Sequence, residues 1–301
     1  MNCAVFGFKA QESQSERLAQ ALGVPHRLVT ARPFPDGESL VQVEPPPATA
    51  LLYRALDHPN EKLVDLLLAA SALRDNGAER VILIAPYLAY MRQDAAFHPG
   101  EAVSQRVIGK LLAAQFDALL TLDPHLHRTH SLGAIMPGVE AVSLSAAPLL
   151  AAALDPRNDP LLVGPDGEAR QWVERISARL GLEFILGRKR RNGDRDVQLE
   201  LPDAERASGR RVVLVDDLVS SGATLAAAAR LLAAARLLAA AGAERIEAMA
   251  THCLADEADL EELRRAGIAS IRATESVPGP VATVPIAGLL ANEIRRLAWD
   301  M

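Results

Sequence analysis

Aromatic residues make up only 4% of this 301-residue chain, which leaves little surface on which nucleic-acid bases could stack. Positive charge is not in excess either. Lys+Arg number 32 against 38 Asp+Glu, a formal net charge of -6, and that sets aside a general nucleic-acid binder. Cysteine is scarce. Cys3 and Cys253 stand far apart, so they offer neither a disulfide framework nor a ligand-spaced cluster, and they fit a reducing cytoplasm. No apolar run approaches the ~20 residues that span a bilayer, so no membrane partner is expected. The stretch Met1–Gly7 has no basic flank and reads as a first strand, not a signal peptide. Two chemical signatures are missing as well: there is no Gly-x-x-x-x-Gly-Lys-Ser/Thr phosphate loop and no Ser-His-Asp or Cys-His pattern of recognisable spacing.

What is present is a chain that is 50% apolar and 23% charged, as globular proteins are, in which short apolar runs alternate with helical patterns. Strand-like runs fall at 4–8, 50–55, 80–85, 118–122, 160–164, 183–186, 211–215, 246–250 and 270–274. Helical patterns fall at 13–22, 61–75, 104–115, 168–180, 256–265 and 286–297. This order predicts an α/β fold with mostly parallel sheets flanked by helices. The stretch 143–159 reads as a crossing between domains at 1–145 and 146–301, each of ordinary size, with the last helix free to pack back on the first domain. A perfect tandem hexamer, Arg-Leu-Leu-Ala-Ala-Ala at 230–235 and 236–241, interrupts one helical pattern. Six residues turn a helix by ~600°, so the second copy faces ~120° from the first and must bulge, loop out or re-face the apolar stripe.

The most informative stretch is Val212–Leu225. An apolar run leads into Asp216 and Asp217, then a turn of Ser220, Ser221, Gly222, Ala223 and Thr224, then an alanine-rich helical pattern. Backbone amides in such a turn, with the positive end of a helix dipole, can hold a phosphate. The adjacent carboxylates can hold sugar hydroxyls or Mg²⁺, which prefers hard oxygen ligands. The pattern suits a sugar phosphate.

Other chemistry-bearing clusters follow strand ends. Phe34-Pro35-Asp36-Gly37-Glu38 is a turn with an exposed aromatic and two acids, able to stack on an adenine and accept from its amino group. The long loop 86–103 carries Arg92, Gln93 and Asp94, and Arg92 is a natural partner for a polyphosphate. Asp123-Pro124-His125-Leu126-His127-Arg128-Thr129-His130 lacks the spacing of a structural zinc site. It better suits one histidine beside Mg²⁺ and a polyphosphate. Arg188-Lys189-Arg190-Arg191 could neutralise charge during an in-line transfer, and Asp166 ends a strand where a metal or its water could sit.

Taken in order along nearly the whole chain, these motifs resemble the ribose-phosphate pyrophosphokinase (phosphoribosyl pyrophosphate synthetase) family. The resemblance implies two phosphoribosyltransferase-like (type I) domains, with ATP and ribose 5-phosphate as ligands and Mg²⁺ as cofactor. It implies transfer of the diphosphoryl group of MgATP to the 1-hydroxyl of ribose 5-phosphate. It assigns Phe34, Asp36, Glu38, Arg92, Gln93 and Asp94 to ATP, His125 and Asp166 to the metal, and Lys189 and Arg191 to transition-state stabilisation. Asp216, Asp217 and residues Ser220–Thr224 go to ribose 5-phosphate. A cytoplasmic homo-oligomer is also implied. Two departures stand out: Ala95 and Ala96 occupy positions where the family carries basic residues, and Ser220-Ser221-Gly222 replaces its commoner Asp/Asn-Thr-Gly. The first motivates an alternative, a catalytically weak homologue that binds ribose phosphates and regulates an active synthetase. A third reading, a phosphoribosyltransferase, has no use for the Phe34 and Arg92 motifs.

Overall fold

The structure, a computed structural model, describes residues 2–96, 98–126, 131–191, 197–219 and 242–300, with 189–191 and 197–199 described by backbone alone. The chain divides into two units, Met1–Leu144 joined by Pro285–Met301, and Ser145–Val284. The expected turn Ser220–Thr224 and the tandem hexamer at 230–241 lie outside the described residues.

The first unit is built on a sheet of β1 (Cys3–Phe8), β2 (His26–Pro33), β3 (Ser39–Gln42), β4 (Thr49–Tyr53), β5 (Arg80–Ala85), β6 (Ala118–Leu122) and β7 (Glu140–Leu144), in the order β3-β2-β1-β4-β5-β6-β7. All pairs are parallel except β2 with β3. The four central strands are apolar and buried on both faces, as parallel strands covered by helices on each side must be. Those helices are α1 (Glu12–Leu22), α2 (Pro59–Asp75) and α3 (Ser104–Ala113). Helix α1 stops at Gly23, whose φ of 74° lets its amide turn back onto the carbonyls of Ala19 and Gln20.

The second unit carries α4 (Ala147–Ala152), β8 (Leu161–Gly164), α5 (Arg170–Leu180) and β9 (Phe184–Leu186). A hairpin of β10 (Arg188–Arg191) and β11 (Val197–Glu200) follows, then β12 (Arg211–Val219) and β13 (Arg245–Cys253). It ends with α6 (Glu257–Arg265), β14 (Ile268–Thr274) and β15 (Ala282–Val284). Its main sheet runs β15-β14-β13-β12-β8-β9, parallel throughout. Helix α6 starts with a reciprocal cap: the Asp256 carboxylate accepts from the Asp259 amide, and the Asp259 carboxylate accepts from the Asp256 amide.

The last helix, α7 (Ala287–Arg296), packs against α1 and so belongs to the first unit. Beyond it Trp299 is completely buried. Its indole Nε1 donates to Glu140 at 3.0 Å, and the Arg80 guanidinium lies 5.8 Å from the ring centroid. Trp299→Phe removes that donor and some packing volume. It should cost about 1–2 kcal/mol, seen as a Tm lowered by roughly 3–6 °C in thermal melts. An unchanged Tm would show that the tail does not hold the first unit together.

Among the described residues, no helix is long and apolar enough to cross a membrane.

Candidate active site

In open α/β sheets a ligand crevice forms beyond the carboxyl ends of two neighbouring strands from which the chain departs in opposite directions. In the first sheet that position lies between β1 and β4, and it is filled. The Gln11 amide reaches across it, donating to the Ala55 carbonyl at 3.1 Å and accepting from the Ala55 amide at 3.0 Å. The Arg54 guanidinium lies 3.8 Å from the Phe8 ring centroid and 3.8 Å from Asp65, and Lys62 pairs with Asp57 at 2.6 Å. Burial pulls the Lys62 ammonium below its ordinary value against the pull of Asp57.

In the second sheet the equivalent position, between β8 and β12, carries carboxylates. Strand β12 continues past the end of β8: its pairing with β8 stops at Leu214, while its ladder with β13 runs on to Val219. Asp216 and Asp217 therefore lie within a strand extended beyond the run 211–215, because β13 supplies partners as far as Cys253. Their neighbour on the β8 side is the loop that bears Asp166, which is 5% exposed and accepts from the Glu168 amide at 2.9 Å. At the end of β8, a Cβ on Gly164 would fall 2.5 Å from Leu186 Cδ2 of β9. Asp217 is 3% exposed, and its amide donates to Asp216 Oδ1 at 3.0 Å. Burial, and then the nearby charges of Asp217 and Asp166, push the Asp216 carboxyl well above the ordinary carboxylate range. Buried carboxylates with these neighbours can accept from a set of hydroxyl donors.

The basic hairpin β10–β11 leaves the carboxyl end of β9, where the Gly187 amide donates to the Gly164 carbonyl at 2.8 Å. Lys189 pairs with Leu199 and Arg191 with Val197. In the sheet β9 is two strands from β12, so the root of the hairpin stands ~10 Å from the acidic strand.

The remaining motif residues lie in the first unit, along the carboxyl edge of its sheet. Phe34 caps the β2–β3 arm and is 38% exposed. Its amide bonds the Glu38 carbonyl at 2.6 Å, the Glu38 amide bonds Asp36 Oδ1 at 3.2 Å, and the Arg32 guanidinium lies 5.1 Å from the ring centroid. Arg92 is exposed in the loop after β5, with Gln93 and Asp94 half-buried. Asp123, with φ of 30°, follows β6, and His125 is half-buried two residues on. Strands β2 and β5 are three strands apart, so the Phe34 arm starts ~14 Å from the root of the Arg92 loop. The structure thus brings Asp166, Asp216 and Asp217 together, and it places the Arg92 loop and His125 on neighbouring strand ends. His125 and Asp166 fall in different units.

Family models match both parts of the chain: the N-terminal domain of ribose phosphate pyrophosphokinase over residues 3–115, and the phosphoribosyl transferase domain over 143–282. A ribose-phosphate pyrophosphokinase of Methanopyrus kandleri is 36% identical over 94% of this chain and 95% of its own length. The chain belongs to the ribose-phosphate pyrophosphokinase family. The enzyme of that name from Thermococcus kodakarensis is 33% identical over 86% of this chain and 89% of its own. A phosphoribosylpyrophosphate synthetase from Mycobacterium smegmatis shares the fold, with a TM-score of 0.81, 24% identity and 99% of each chain covered. Membership makes this protein a transferase. It also confirms the expected architecture of two α/β units on mostly parallel sheets.

Proposed function

We propose that this ribose-phosphate pyrophosphokinase transfers the diphosphoryl group of ATP to ribose 5-phosphate. The observation that carries the reading is the contrast between the two sheets: the crevice of the first is closed by its own side chains, whereas that of the second holds Asp166, Asp216 and Asp217. Those acids suit the hydroxyls of a sugar, and the family's phosphate turn, expected at Ser220–Thr224, follows directly on β12. In the reaction the 1-hydroxyl oxygen attacks the β-phosphorus of ATP. The bond from that phosphorus to the α,β-bridging oxygen breaks, AMP leaves with the oxygen, and the hydroxyl proton is released. Phe34, Asp36 and Glu38 are proposed to bind adenine, and Arg92, Gln93 and Asp94 the triphosphate. Lys189 and Arg191 are proposed to stabilise the charge that develops in transfer.

The donor chemistry fits Mg²⁺. Among the described residues no three His, Cys, Asp or Glu side chains form a protein cage for a metal, and Mg²⁺ usually keeps waters and substrate oxygens as ligands. Asp166 in the second unit and His125 in the first are each proposed as a protein ligand for Mg²⁺, which would neutralise phosphate charge and orient the triphosphate.

Incubation of the purified protein with MgATP and ribose 5-phosphate should release AMP and phosphoribosyl pyrophosphate in equal amounts, read by anion-exchange chromatography. Absence of both products would favour the regulatory homologue that Ala95 and Ala96 suggest.

A further inference from the structure

Arg92 projects from a backbone that other residues hold in place, and one of them lies outside all the chemistry-bearing motifs. Gln105, in the first turn of α3, is only 2% exposed. Its side-chain Nε2 donates to the Met91 carbonyl at 3.2 Å, and its backbone amide donates to the Gln93 carbonyl at 3.3 Å. The carbonyls on either side of Arg92 are therefore both tied to one residue. Just upstream, Tyr90 has φ of 65°, a left-handed conformation uncommon for a bulky residue. Its hydroxyl donates to the Asn60 side chain in the first turn of α2, and Ser104 Oγ makes a long contact of 3.5 Å to its carbonyl. Between these ties Arg92 stays exposed. A segment tied in this way loses less backbone freedom when it meets a ligand, so less of the binding free energy goes into ordering it.

We infer that Gln105 is a positioning residue for the Arg92–Asp94 segment, assisted by the Tyr90–Asn60 tether, and that it sets the affinity for MgATP. The inference rests on the reading that this segment meets the triphosphate. The chemistry of the contact supports it. The buried side-chain amide donates to the carbonyl that precedes Arg92, a contact an apolar side chain of similar size cannot make.

The test uses Gln105→Met, which keeps the volume and removes the donor, and Tyr90→Phe, which removes the tether at the half-buried end. Steady-state kinetics should show the KM for MgATP raised about tenfold in Gln105→Met and less in Tyr90→Phe. The KM for ribose 5-phosphate should stay within about twofold, and the Tm within a few degrees of wild type. Equal rises in both KM values, or no rise in that for MgATP, would overturn the inference. If Gln105→Met does not fold, Tyr90→Phe decides by the same split. If the wild type makes no product, the functional reading fails separately, and calorimetric titration with MgATP alone then decides the positioning role. Weaker binding by the variant supports the role, whereas equal affinity, or no binding by the wild type, overturns it.

Discussion

Asp216→Asn should make the metal-free protein more stable at pH 8 and at the same time reduce turnover by about 10²–10³-fold. The stability half follows from linkage. The folded protein holds the Asp216 carboxyl well above its ordinary value of 3.8, chiefly by burial and then by the charges of Asp217 and Asp166. Below that ordinary value the group is protonated in both folded and unfolded chains, and it imposes no penalty. As pH rises from there towards the folded value, the unfolded chain releases a proton that the folded chain retains, so stability is lost progressively. Asparagine keeps the shape and the acceptor for the Asp217 amide but has no proton to release. The variant's advantage in Tm should therefore be small at pH 4 and larger at pH 8, with each kcal/mol worth about 2–4 °C. Added Mg²⁺ should narrow the gap by neutralising the wild-type cluster. A variant less stable than wild type at pH 8 would contradict the crowding of these carboxylates. The activity half rests on the proposed role of Asp216 in holding the sugar hydroxyls, which an amide fills less well than a carboxyl group.

The parts of the fold legible in the sequence are those whose burial is two-sided. The runs Arg80–Ala85 and Ala118–Leu122 become β5 and β6 end for end, because a continuous apolar run between helices has no other stable placement. The edges were less legible. Strands β2, β3 and β7 are half-exposed and mix polar with apolar residues, so their alternation is weak and their existence depends on a neighbouring strand. The stretch read as a domain crossing holds α4, six residues with a proline in the first turn, which packs on Leu162, Trp172 and Met249. The length of β12 was hidden for the same reason, since the strand runs on through Asp216 and Asp217 only because β13 extends beside it.

At the site, residue types were legible and juxtapositions were not. Asp216, Asp217 and Asp166 could be named from strand-end position. That they share one crevice depends on β8 and β12 being adjacent, a matter of strand order. Gln105 gave no signal at all, because a glutamine near a helix start is ordinary until a loop folds back over it. The Phe34 and Arg92 motifs, both assigned to ATP in the sequence, follow strands that stand three places apart in the sheet.

Lys189→Ala should lower kcat by about 10²–10³-fold, about 3–4 kcal/mol of transition-state stabilisation, and leave the KM for ribose 5-phosphate nearly unchanged. The separation of effects follows from the architecture. The acids proposed to face the sugar belong to β12 in the main sheet, whereas Lys189 belongs to the β10–β11 hairpin, paired with Leu199 and attached to the sheet through Gly187. Removing a side chain from the hairpin leaves the ladder between β12 and β13 intact. An interaction that forms only as negative charge develops on the transferring and leaving groups contributes to kcat and not to ground-state binding. Lys189→Arg keeps the charge but replaces a compact ammonium with a planar fork, so it should recover part of the rate and not all of it. The comparison also separates the family's usual activity from the regulatory alternative. If wild type and Lys189→Ala turn over within a factor of about ten of each other, the lysine makes no transition-state contact. A catalytically weak homologue is then the better description. A rise in the KM for MgATP with kcat unchanged would instead make Lys189 part of the triphosphate-binding surface, together with Arg92.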